Sequence, residues 1–124
     1  MSVAEKGKVL VVDDDASLRE FLSVLLDKEG YQVYMAGSAK EGLETLDRHP
    51  IDVVLTDVKM PGMDGIEFLA EVRKRSRDVV MIIMTAYSTW QKAVEAMRLD
   101  AFDYIRKPFD NDDIKATLQR ALKL

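Results

Sequence analysis

The chain has 124 residues, 48% hydrophobic and 32% charged, with a formal net charge of −4, a pI near 5.0 and no cysteine. That length suits one folded domain with a real core, and the composition excludes a disordered chain. The acidic balance argues against nonspecific nucleic-acid binding, the lack of cysteine excludes disulfides and thiolate metal sites, and no apolar run approaches the roughly 20 residues needed to span a bilayer.

The polar start "MSVAEKGK" has no apolar segment behind it, so residence in the cytoplasm is the expectation. "VLVV" at 9–12 is short, β-branched and uninterrupted, which predicts a strand buried on both faces. It runs into Asp13, Asp14 and Asp15. A helix follows, with Leu18, Phe21, Leu22 and Leu25 on one stripe, Ser17 and Glu20 as start signal and Gly30 as its end. "YQVYMA" at 31–36 mixes polar and apolar residues and reads as an edge strand. Ser38 and Glu41 open the next helix, whose stripe holds Leu43 and Leu46, and Pro50 closes it.

"VVL" at 53–55 is a second buried strand, followed by Asp57. Met60 to Met63 form a turn, and Asp64 and Glu67 open a helix carrying Ile66 and Leu69. "VVMIIM" at 79–84 is a third buried strand, ending at Thr85. Ser88 and Gln91 open a helix whose stripe is Trp90, Ala93, Val94 and Met97. Trp90 and the methionines 81, 84 and 97 are expected to pack in the core. "AFDYI" at 101–105 is another edge strand, with Lys107 after it. A last helix carries the apolar stripe Ile114, Leu118, Ala121 and Leu122, with Asp112 and Asp113 favouring its start.

Five alternating strand–helix units predict a parallel sheet with helices on both faces, an α/β doubly wound fold over residues 1–124. In such sheets the site lies beyond the carboxyl ends of the strands. Asp13, Asp14, Asp57, Thr85 and Lys107 all fall there. Clustered carboxylates repel one another and call for a cation, and Mg²⁺, a hard ion that prefers oxygen, suits them best. Zinc does not fit a chain without cysteine and with His49 as its one histidine. One aspartate could also attack phosphorus and form an acyl phosphate.

The stretches "VVDDD", "VLTDVKMPGMDG", "MIIMTAYS" and "AFDYIRKPFD" resemble the response-regulator receiver domain of bacterial two-component systems. The resemblance covers essentially the whole chain. It implies a five-stranded sheet in the order 2-1-3-4-5, with Asp57 as phosphoacceptor. Asp14 would be a direct Mg²⁺ ligand, Asp13 would act through water, and the backbone carbonyl of Lys59 would add a ligand. Lys107 would pair with the acids and the phosphoryl group, next to a cis peptide to Pro108. Thr85 would bond a phosphoryl oxygen, and Tyr104 would be the aromatic switch. Lys59 and Tyr87, two residues beyond Asp57 and Thr85, would tune access of water during slow hydrolysis.

The resemblance further implies transfer from a phosphohistidine on a partner sensor kinase. The switched face would comprise the fourth helix, fifth strand and fifth helix, binding an output domain or a second copy. "AFDYIRKPFDNDDI" is most similar to receivers of enhancer-binding transcription activators, in which DNA binding lies outside this domain. The rival reading is an aspartyl-phosphate phosphatase of the haloacid dehalogenase type. It needs a second aspartate two residues after the nucleophile, where Lys59 stands. A flavin carrier of the same fold would find three aspartates where its cofactor phosphate should bind.

Overall fold

A computed structural model describes residues 6–75, 78–86 and 90–123. Strands and helices alternate: β1 (Gly7–Val12), α1 (Ala16–Lys28), β2 (Tyr31–Ala36), α2 (Ala39–Arg48), β3 (Val53–Thr56), α3 (Gly65–Arg75), β4 (Val80–Thr85), α4 (Trp90–Arg98), β5 (Asp103–Arg106) and α5 (Asn111–Leu122). The strands pair in parallel in the order β2-β1-β3-β4-β5, so the two mixed-polarity segments are the edges, as their composition predicts.

Side chains on a strand alternate between its faces, and here both faces are covered. Val9, Val11, Leu55, Ile82 and Met84 meet Leu22 and Leu26 of α1 and Ile114 and Leu118 of α5. Leu10, Val12, Val54, Met81 and Ile83 meet Leu43 of α2, Phe68 and Leu69 of α3 and Ala96 of α4. Gly42 lets α2 approach α3 closely, since a Cβ there would lie 2.9 Å from the Phe68 ring.

Three packing expectations need correction. Phe21 stands 47% exposed, and α1 instead buries Leu22 and Leu26, because its inward stripe runs one position further round the helix. Met97 is 52% exposed and is not core, whereas Met81 and Met84 are fully buried. Among the described side chains of α4 Ala96 is the buried one, so the Ala93–Val94–Met97 side of the stripe is turned more towards solvent.

The helix starts also differ in part. Asp15, not Ser17, caps α1, its carboxylate accepting from the backbone N–H groups of Ser17 and Leu18. Ser38 caps α2 as expected, but Glu41 reaches back to the N–H of Gly37 rather than to the cap itself. Asp64 and Glu67 form the reciprocal pair. Tyr87, Ser88 and the side chain of Trp90 lie outside the described residues. Gly30, at φ +96, ends α1 in the left-handed conformation glycine tolerates best.

At the amino end of the sheet, Arg73 of α3 ties three segments together. Its half-buried guanidinium donates to the carbonyls of Val79 before β4 (2.8 Å) and of Leu99 (3.0 Å) and Asp100 (2.7 Å) after α4. Asp100 itself adopts φ 62, an uncommon conformation that turns the chain from α4 towards β5.

Candidate functional site

Register assembles the site at the carboxyl edge. β1 and β3 are neighbours with Val12 opposite Thr56, so the next residues, Asp13 and Asp57, leave the sheet side by side. The N–H of Asp57 donates to the Val12 carbonyl at 3.1 Å, and that of Asp13 to Ala36 at 3.1 Å. On the other side Thr85 lies opposite Arg106, and the N–H of Lys107 donates to the Thr85 carbonyl at 2.9 Å. The Lys107–Pro108 peptide is cis, as the resemblance implies.

The Lys107 side chain crosses to the centre. Its Nζ donates to Asp13 Oδ2 at 2.9 Å and to Asp57 Oδ2 at 3.0 Å. The Asp57 carboxylate is further oriented by the N–H of Val58, which donates to Oδ1 at 2.7 Å. Asp13, Asp57 and Thr85 are buried, Asp14 is exposed, and Tyr104 is half-buried. Burial holds the Asp13 carboxyl above the usual aspartate range, outweighing the opposing bond and charge of Lys107. Burial alone would lower Lys107, but its bonds to Asp13 and Asp57, and their charges, push it above the ordinary lysine value. Burial, then the negative charge of Asp57, pushes the Tyr104 phenol up.

Asp13, Asp14 and Asp57 each offer an oxygen, and these oxygens lie within 4.8 Å of one another. Oxygens sharing one Mg²⁺ at about 2.1 Å sit roughly 3 to 4 Å apart, so slight closure fits them to such an ion. Three carboxylates outnumber the Lys107 ammonium and the nearby Arg19 guanidinium, an excess of negative charge that a bound cation would offset. It follows that Asp14→Asn will stabilise the metal-free fold by roughly 1 kcal/mol, the scale of a repulsion at about 4 Å in high dielectric. Thermal melts in chelator check this, and a lowered melting temperature would contradict it.

All of the predicted side chains, Asp13, Asp14, Asp57, Thr85, Lys107 and Tyr104, therefore stand at this edge or beside it, and Asp15 serves as a helix cap. Lys59 is exposed, its N–H 3.4 Å from Asp57 Oδ1. The phosphatase reading would need an acid at that position. Sequence reasoning passed over Arg19, whose Nη1 donates to the Asp13 carbonyl at 2.6 Å. Nothing in the pattern distinguishes it from the other charged residues of α1.

A doubly wound parallel sheet with acids, a hydroxyl and an ammonium beyond its carboxyl edge is an α/β protein of the CheY-like kind. Residues 9–119 match the response regulator receiver domain, and the chain belongs to that family. Over 119 residues it is 43% identical to the regulatory protein AtoC of Escherichia coli, covering 95% of this chain and 26% of that protein. The chain thus spans about a quarter of the length of that relative. A CheY-like receiver domain protein from Methanospirillum hungatei superimposes with a TM-score of 0.92 at 30% identity, covering 94% of each chain. The response regulator TrrA of Thermotoga maritima, solved in complex with Mg²⁺–BeF, gives a TM-score of 0.85 at 33% identity over 93% of this chain and 98% of that one. Receiver domains are signalling phosphoacceptors that bind Mg²⁺ at their acidic pocket and work with histidine kinases and output domains.

Proposed function

We propose that this receiver takes a phosphoryl group onto Asp57 from a phosphohistidine of a partner sensor kinase, with Mg²⁺ held by Asp13, Asp14, Asp57 and the Lys59 carbonyl. The observation that carries this reading is the single ammonium of Lys107 bridging Asp13 and Asp57 inside a cluster of three carboxylates. An Asp57 oxygen attacks phosphorus, the O–P bond forms, the donor P–N bond breaks, and the leaving imidazole keeps the electron pair and takes up a proton. The N–H of Val58 holds the carboxylate in place, and Lys107 neutralises charge on the moving phosphoryl oxygens. The metal, when bound, supplies the remaining positive charge at those oxygens. Thr85, buried at the end of β4, donates its hydroxyl to a phosphoryl oxygen, and Tyr104 follows Thr85 as the switch.

Phosphorylation replaces one negative charge by about two, which biases α4, β5 and α5 between two arrangements. The apolar side of α4, with Ala93, Val94 and the half-exposed Met97, supports that face as the surface for an output domain or a second copy. The similarity to the transcriptional regulatory protein ZraR of Escherichia coli, 45% identical over 114 residues, supports a role in transcription regulation, with DNA contacts made elsewhere than in this domain. Residence in the cytoplasm goes with a kinase partner there. Among the described residues no helix is long and apolar enough to cross a membrane.

Incubation with Mg²⁺ and acetyl phosphate, followed by intact-mass measurement, tests the assignment. Wild type should gain the mass of one phosphate, and Asp57→Asn should gain none. A labelled Asp57→Asn, or a wild type that never labels, would overturn it.

A further inference from the structure

Asp13 is held at every polar atom it has. Its N–H donates to the Ala36 carbonyl, Oδ1 accepts from the N–H of Asp15 at 2.9 Å, and Oδ2 accepts from Lys107 at 2.9 Å. The fourth atom, the backbone carbonyl, accepts from Arg19 Nη1 at 2.6 Å, a short charge-assisted bond. That carbonyl belongs to the planar peptide unit joining Asp13 to Asp14, so fixing its direction fixes the Asp14 N and Cα, and the Asp15 N–H bonded to Asp13 Oδ1 holds the peptide on the other side of Asp14. With both planes held, the direction in which the Asp14 side chain leaves the chain is restricted too. Asp14 is exposed and is the acid of the cluster with the least surrounding structure to aim it. The Arg19 arm reaches the carbonyl past Gly37, where an added Cβ would come within 3.3 Å of Nη1. The absence of a side chain at Gly37 leaves the guanidinium its path between α1 and the turn after β2.

We propose that Arg19 is a positioning residue for the divalent cation, holding the Asp13–Asp14 peptide so that Asp14 points into the cluster. The inference rests on the reading of that cluster as a Mg²⁺ site. Arg19 touches neither cation nor phosphoryl group, and it acts through Asp14. Supporting groups of this kind typically change metal affinity by 10- to 100-fold when removed.

Charge and positioning predict opposite signs. Removing a cation near three carboxylates should, on charge alone, tighten Mg²⁺ binding. Loss of the carbonyl bond should weaken it, because Asp14 then samples directions away from the ion. Calorimetric titration of the folded chain with MgCl₂ is expected to show Arg19→Met binding about tenfold more weakly than wild type. Arg19→Lys, which keeps a donor on a shorter arm, should recover part of that loss. Melts in chelator read the loss of the carbonyl bond itself, and melts with Mg²⁺ should show that the stabilisation added by the ion is smaller in Arg19→Met than in wild type. Equal or tighter binding by Arg19→Met would overturn the proposal. If Arg19→Met does not fold, Arg19→Gln is read in the same way. A wild type that binds no Mg²⁺ would instead defeat the reading of the site itself, so the two failures are told apart.

Discussion

Lys107→Met will slow phosphate uptake on Asp57 by about a hundredfold or more, the usual loss when one fixed donor at a developing charge is removed. The methionine has nearly the same reach but no charge, and the acids it leaves behind have no other cation among the described residues within ion-pairing distance. The fold should also lose roughly 2 kcal/mol, since two largely buried carboxylates lose a shared partner. The pH dependence has a definite sign. The folded value of Lys107 is raised, so its contribution is full below the ordinary lysine value of about 10.4 and fades as pH rises through the folded one. Denaturant melts of wild type and Lys107→Met should therefore differ by a constant amount at neutral pH and converge in alkali. A gap that persists at the highest pH would show that the ammonium is not its source.

Gly65→Ala will be the most damaging small substitution in the chain, costing about 3 kcal/mol or more. Gly65 opens α3 against the turn after β3, with its N–H donating to the Val58 carbonyl at 2.7 Å. A Cβ there would meet the Asp57 carbonyl oxygen, and would lie 2.8 Å from both the Asp57 carbonyl carbon and the Val58 Cα. Every one of these neighbours is backbone, so no side chain can swing away to make room. The displaced segment carries Asp57, so phosphate uptake should fall with stability. Gly62 is the informative comparison. It adopts φ +78, but a methyl group added there would have nothing within 4 Å, so alanine should cost only about 1 kcal/mol, for the backbone conformation alone. Urea unfolding of the two variants checks the contrast, and similar losses would refute it.

What the sequence made legible, and what it hid, follows from the range of each signal. The three central strands were readable because burial on both faces leaves an unbroken β-branched run, as in Val53 and Val54. The acids were readable because each abuts such a run, where a bare charge has no reason to be. Facing was harder. Periodicity found an apolar stripe on α4 but not which of its sides meets the sheet, and the small residue Ala96 decided that by fitting where Met97 does not. Ser17 looked like the cap of α1, yet Asp15 comes first along the chain and its carboxylate already takes the N–H groups of Ser17 and Leu18. Arg19 was invisible because its partner is a main-chain carbonyl six positions back, and main-chain acceptors leave no mark on residue type.

The fastening made by Arg73 limits how α4 can answer events at the opposite rim. Its three bonds hold the Leu99 and Asp100 carbonyls just beyond the helix's last turn and the Val79 carbonyl leading into β4. A shift of α4 along the sheet would have to break them, whereas a tilt about that end would keep them and would move the amino end of the helix, at Trp90, the furthest.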